Sequence, residues 1–176
     1  MSHVQEPSVP VAPTWARSAT AAAVARGTTR LLQALGCTTL CELGLPSGRR
    51  ADIVALGRTG ELWIVEVKSS IADFQADNKW RDYHRHCDRL FFATAPEVPL
   101  TIFPETAGLI VADRFGGQLV REAPEHRLPA ATRRAMTLRF ARAAAHRLQA
   151  LLDPTAPAGE SGADLFGPGG LEGPAI

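Results

Sequence analysis

The chain is short of cysteine, of lysine and of long apolar runs, and each shortage excludes something. Three cysteines in 176 residues, an odd number at loose spacings, do not make a disulfide framework and fit a reducing compartment. Nowhere does an apolar run reach the roughly twenty residues needed to span a bilayer, and no signal peptide opens the chain. The expectation is a soluble, cytoplasmic protein. Net charge is also scarce, at +1, but it is unevenly placed. All 19 basic residues fall between Arg17 and Arg147, while Glu6, Asp153, Glu160, Asp164 and Glu172 lie in the two ends. The middle thus holds 19 basic against 13 acidic residues, a surplus compatible with a polyanionic partner and common without one. Of those cations 17 are arginine, whose planar fork suits bidentate phosphate contacts.

What is present divides into a central domain and two flanks. Residues 1 to 16 mix Pro7, Pro10 and Pro13 with small residues and no periodicity, and read as a disordered arm. Residues 153 to 176 are rich in Pro, Gly, Ala and acid without a hydrophobic period, and read as a disordered tail. Between them, residues 17 to 152 carry one domain's worth of core. Ser18 to Leu35 has a helical apolar stripe, weakened at Gly27 and the threonines after it. Thr38 to Leu43, Arg50 to Leu56 and Glu61 to Lys68 read as a three-strand meander. Asp73 suits the N-cap of a charged helix reaching His84. Asp88 to Thr94 and Gly108 to Ala112 read as buried strands, and Gln118 to Arg121 as a strand pairing back across Gly116-Gly117. Pro129 to Leu152 is a long helix with Met136, Phe140, Ala144, Leu148 and Leu151 on one stripe. Its Arg133, Arg139, Arg142 and Arg147 read as a solvated basic face.

The chemistry concentrates in the meander. Asp52 lies within Arg50-Ala51-Asp52-Ile53-Val54-Ala55-Leu56, and Glu66 and Lys68 close Leu62-Trp63-Ile64-Val65-Glu66-Val67-Lys68. A charge set in an apolar strand costs roughly several kcal/mol unless it is paired or binds a metal. Strand side chains alternate faces, so Glu66 and Lys68 point the same way. Asp52 joins them only in one register. A two-residue loop would set it opposite Val65, whereas a three-residue loop at Arg58-Thr59-Gly60, with Gly60 at positive φ, sets it opposite Glu66. Two carboxylates that close repel unless a cation lies between them, and oxygen donors with retained water suit Mg2+ or Mn2+. A lysine beside such an ion can orient a water and stabilise the charge of phosphodiester hydrolysis.

The order helix, three-strand meander, helix, strand, with Asp on the second strand and Glu-x-Lys on the third, resembles the PD-(D/E)xK nuclease superfamily. More narrowly, Arg50-Ala51-Asp52-Ile53, Glu66-Val67-Lys68-Ser69-Ser70, Asp73-Phe74, Lys79-Trp80-x-x-Tyr83 and Cys87-Asp88-Arg89 resemble the MmcB-like DNA repair proteins. The resemblance spans about Ser18 to Ala123. It implies an α/β fold with a restriction-endonuclease-like core, a mixed sheet and flanking helices. It also implies that Asp52 and Glu66 ligate the metal, that the Val67 carbonyl adds a ligand, and that Lys68 is the catalytic lysine. Ala51 stands where the superfamily has Pro. The first helix carries no acid, although many relatives place one there, and either Glu42 substitutes for it or the metal site is depleted.

Around this centre, Lys79 and Tyr83 are four apart and would share a helix face. Trp80, set among Lys79, Arg81, His84 and Arg85, either stacks on an unpaired base or packs the helix on the sheet. Arg49 and Arg50 are placed to hold phosphates or to be solvated. Cys37 and Cys41 read as buried thiols rather than a zinc site, and His84 and His86 as surface or DNA-facing. Ala163-Asp164-Leu165-Phe166 is similar to the short peptides by which repair factors dock on the sliding clamp. The expected function is a Mg2+- or Mn2+-dependent nuclease of DNA repair acting on damaged, branched or single-stranded DNA. The alternative is an adaptor that binds DNA and recruits other repair proteins without cutting.

Overall fold

The computed structural model describes residues 18–77 and 79–155. The arm expected over 1 to 16, the tail after Thr155 and the clamp-like peptide lie outside them. Ser18 is an N-cap, its hydroxyl accepting from the Ala21 N–H at 3.3 Å. The helix it opens, α1 (Ala19–Ala34), buries Ala21, Val24, Ala25 and Leu32. It runs unbroken through Gly27, for a reason that lies across its interface. A Cβ there would sit 2.0 Å from the Asp113 carbonyl oxygen and 2.3 Å from that of Gly116. Only glycine lets the helix meet that backbone, and Arg30 adds 3.0 Å hydrogen bonds to the Arg114 and Phe115 carbonyls beside it.

The strands β1 (Thr38–Gly44), β2 (Arg50–Leu56) and β3 (Leu62–Lys68) form the antiparallel meander. β4 (Arg89–Thr94) and β5 (Gly108–Ala112) continue the sheet in parallel, and β6 (Gly117–Arg121) closes it antiparallel to β5. The order is β1-β2-β3-β4-β5-β6. Leu90, Phe91, Phe92 and Ala93 of β4 are all buried, which is why that strand is continuously apolar. The result is the α/β architecture expected of a restriction-endonuclease-like core, a six-strand mixed sheet with flanking helices.

The helix expected from Asp73 to His84 is two pieces. Ser70, not Asp73, is the N-cap of α2 (Ile71–Ala76), accepting from the Asp73 N–H at 3.1 Å. Asp73 turns its carboxylate back to the Ser69 N–H at 2.9 Å, a variant of the capping box. At Asp77 the backbone leaves the helix, with φ −97° and ψ 92°. The chain resumes as a 3-10 segment at Trp80–Arg85, so Lys79 and Tyr83 do not share an α-helical face.

The long helix α3 (Ala130–Leu152) buries Met136 and Phe140. Farther along, Leu148 and Leu151 are exposed, so only the first half of the apolar stripe is buried. Nor are the arginines simply solvated. Arg139 donates to the Gly44 carbonyl at 3.3 Å, and Arg147 to the carbonyls of Cys41 and of Glu42, the latter at 2.8 Å. The helix is thereby tied to β1, an edge strand of the sheet.

Asp88 joins these parts. Its side chain is 2% exposed and accepts the N–H groups of Leu62 at 2.8 Å and Leu128 at 2.9 Å, together with two Arg133 hydrogen bonds at 2.6 Å. Arg133 also donates to the Gly60 carbonyl at 2.9 Å. Burial opposes the ionisation of Asp88, but Arg133 and the two amides outweigh it and hold the pKa below the ordinary aspartate value.

Two stability measurements check this account. Gly27→Ala gains about 1 kcal/mol of helix propensity, but the clash is with backbone that cannot swing aside, so net destabilisation of about 1 to 3 kcal/mol is expected in urea unfolding. Asp88→Ala is expected to lose about 3 kcal/mol at neutral pH, since it strands a partly buried arginine and two amides. Because the folded pKa of Asp88 is depressed, its contribution is complete above the unfolded value of about 4 and is lost as pH falls through the folded one. The gap between wild type and Asp88→Ala should therefore narrow in acid.

Candidate active site

The turn between β2 and β3 decides which side chains meet. Leu56 pairs with Leu62 and Ile53 with Val65. The Gly57 N–H donates to the Glu61 carbonyl at 2.9 Å and the Gly60 N–H to that of Gly57 at 3.0 Å. Arg58-Thr59-Gly60 is thus the three-residue loop, with Gly60 at φ +87°. Carrying the register one residue on sets Asp52 opposite Glu66. There the side chains take over from the ladder. The Asp52 N–H donates to Glu66 Oε1 at 3.3 Å, and the Val67 N–H donates to Asp52 Oδ2 at 2.9 Å. Each carboxylate spends one oxygen on the other residue's strand and keeps one for the cleft.

That cleft has a volume of about 460 Å3 and is lined by Asp52, Glu66, Val67, Lys68, Arg50 and Tyr83, with Ser69 and Asp73 from the start of α2 and Ser18 and Ala21 from the start of α1. Lys68 Nζ is 2.7 Å from Asp77 Oδ2 and 3.9 Å from Glu66 Oε2. Burial raises the Asp52 pKa to about 6 against the pull of the Val67 amide and Lys68, with Glu42 and Asp73 adding to the rise. Burial and the Asp52 charge push Glu66 well above the usual carboxylate range. The Lys68 ammonium is desolvated, yet Asp77, Glu66 and Asp52 outweigh that and raise its pKa. Two buried carboxylates that resist ionising together are a donor set in want of a cation. A strand residue's N–H and C=O point to the same side, so the Val67 carbonyl faces the Asp52 side, while Thr94 Oγ1 donates to the Lys68 carbonyl at 2.7 Å.

The other candidates are dispersed. Glu42 stands in the same row as Asp52 and Glu66, between the pairs Cys41 with Ile53 and Leu43 with Ala51. It adopts φ +54°, forms an ion pair with Arg50 and does not line the cleft. Among the described residues no three His, Cys, Asp or Glu side chains gather closely enough to hold a metal by themselves, so a cation here would complete its shell with main-chain carbonyl and water. Arg49 lies outside the cleft and donates twice to Asp82, at 2.5 and 3.0 Å. Lys79 is exposed and outside the cleft. Trp80 is buried, its ring edge-on to Phe92 at 5.5 Å, as the packing alternative required. Tyr83 lines the cleft and donates to the Arg50 carbonyl at 3.2 Å. His86, expected on the surface, is buried, and neither ring nitrogen has a partner among the described residues.

Asp77, Asp73, Ser69 and Ser18 were not among the expected site residues. The Ser70-x-x-Asp73 capping pattern marks the α2 start in the sequence and would have placed Ser69 and Asp73 beside Lys68. Nothing local marks Asp77. A second hollow of about 440 Å3, lined by Arg127, Arg133 and Arg134 near the start of α3, shares no residue with the cleft and contains no carboxylate.

No curated protein matches the chain at a significant level. A solved structure described as the SPO1766 protein of unknown function from Silicibacter pomeroyi is 44% identical, with a TM-score of 0.75, over 77% of this chain and 93% of that one. The family model described as DNA repair protein MmcB-like matches residues 9–155, most of the chain including every residue of the cleft, and the chain belongs to the MmcB-like family of DNA repair proteins.

Proposed function

We propose that the chain is a metal-dependent nuclease that hydrolyses phosphodiester bonds of damaged, branched or single-stranded DNA in the course of repair. One observation carries this reading: Asp52, Glu66 and Lys68 converge in one cleft, each carboxylate keeping an oxygen that no strand amide takes up. Asp52, Glu66 and the Val67 carbonyl would hold Mg2+ or Mn2+, with waters completing the shell. The ion, when bound, supplies Lewis-acid polarisation of the phosphoryl oxygen and a more acidic water. Lys68 orients that water and stabilises the charge growing on the phosphoryl oxygens. Arg50, whose side chain is half-exposed at the cleft, holds a neighbouring phosphate by exchanging its Glu42 partner for it. Tyr83 stays protonated, since burial and the nearby Glu66 and Asp52 charges raise its pKa, and it anchors the Arg50 backbone.

The family's DNA repair description supports DNA as the partner. The adaptor reading has one observation in its favour: α1 brings Ser18 and Ala21 to the cleft rather than an acid. The two readings separate in a single comparison. Wild type, Asp52→Ala and Lys68→Ala are incubated with flap, junction and single-stranded DNA plus Mn2+, and cleavage and binding are followed together. The nuclease reading expects wild type to cut at least one substrate and each substitution to slow cutting by roughly a hundredfold or more. Cleavage that survives both substitutions sinks the assignment of the site. Binding with no cleavage by wild type across those substrates favours the adaptor.

A further inference from the structure

Lys68 has two carboxylates within reach, and it uses the one that is not expected to hold metal. Its side chain is 7% exposed, so its ammonium needs a counter-charge. Glu66 is two residues away on the same strand face, yet its Oε2 stands at 3.9 Å, beyond hydrogen-bond length. Asp77 stands at 2.7 Å. Asp77 is itself held: its Oδ1 accepts from the Lys79 N–H at 2.9 Å and its N–H donates to the Phe74 carbonyl at 3.2 Å. Phe74 in turn packs on Phe92 and Phe103, with ring centroids 5.3 and 4.9 Å away. The carboxylate that holds Lys68 is therefore anchored to the sheet through α2.

Removal of the Asp77 charge leaves a buried ammonium whose next carboxylate is Glu66, reached by a rotation or two of a flexible side chain. A lysine closed onto Glu66 would occupy the oxygen that a cation needs and would set an uncompensated positive charge beside it. We propose that Asp77 is a positioning residue that holds Lys68 off Glu66 and so keeps that carboxylate open to a divalent cation. This rests on the reading of Asp52 and Glu66 as metal ligands.

The test reads cation binding, not cleavage. Mn2+ is titrated into the full chain, with free Mn2+ followed by electron spin resonance, for wild type, Asp77→Asn, Lys68→Met and the Asp77→Asn/Lys68→Met double variant; thermal unfolding checks that each is folded. Asp77→Asn is expected to weaken Mn2+ binding by roughly tenfold or more, and the double variant to bind as well as Lys68→Met, because the competing ammonium is gone. The proposal is overturned if Asp77→Asn binds Mn2+ as wild type does, or if the double variant binds more weakly than Lys68→Met. Should Asp77→Asn alone fail to fold, Asp77→Ser takes its place, alone and with Lys68→Met, in the same comparison. Wild type that takes up no Mn2+, or an Asp52→Asn/Glu66→Gln variant that binds as tightly as wild type, removes the metal site and Asp77's role with it. A normal metal site with no effect of Asp77 removes the second alone.

Discussion

The site depends on one clamp, the Arg133 guanidinium held between the Asp88 carboxylate and the Gly60 carbonyl. Asp88 fixes the Leu62 amide at the first residue of β3, and Arg133 fixes the last residue of the turn before it. Both ends of that turn are thus fastened to the start of β4 and to α3. A slip of one residue between β2 and β3 would turn every side chain of one strand to the other face. It would break this clamp as well as the apolar pairing. The clamp lies at the opposite end of β3 from Glu66, so an interaction remote from the chemistry helps hold the register, set by the turn, that brings Asp52 to Glu66.

The cleft itself sits where the β2–β3 ladder stops. Between Ile53 and Val65 the strands pair backbone to backbone; beyond them, Glu66 and Asp52 supply the acceptors for the Asp52 and Val67 amides. This exchange satisfies two amides that the ladder no longer pairs. It also explains why burial of two acids is tolerated. Each is fixed by an amide that would otherwise lack a partner, and the cost of burying its charge appears as a raised pKa rather than as misfolding.

Much of this could be read from residues close together in the chain. The Gly60 turn, the meander and the meeting of Asp52 with Glu66 follow from period-two alternation and loop length, both local rules. What escaped depends on partners remote in sequence. Gly27 weakens a helix considered alone, but the Asp113 and Gly116 carbonyls make glycine necessary there. Leu148 and Leu151 continue the helical stripe of Met136 and Phe140, but only the first part of it is buried. Arg139 and Arg147 look like a solvated face until β1 is placed beside them. The break at Asp77 was hidden because residues 73 to 84 suit a helix well enough, and the carboxylate at the break bonds Lys68 on β3.

Charge pairing sets the order of events in the cleft. Lys68 is matched by Asp77, Arg50 by Glu42 and, just outside, Arg49 by Asp82. Those cations are already engaged by acids, while Asp52 and Glu66 each keep an oxygen that no amide takes up. Under the proposed function the resting cleft would favour an incoming cation over an incoming phosphate, since Asp52, Glu66 and Asp73 line it and its own cations are already paired. A divalent ion held as proposed by Asp52 and Glu66 would reverse that balance at short range, where fields are least screened. On the same proposal the phosphate would then gain by taking Arg50 from Glu42. Metal before substrate is the sequence this arrangement of charges favours, and the absence of an acid on α1 leaves that end of the cleft with less repulsion for the phosphate to overcome.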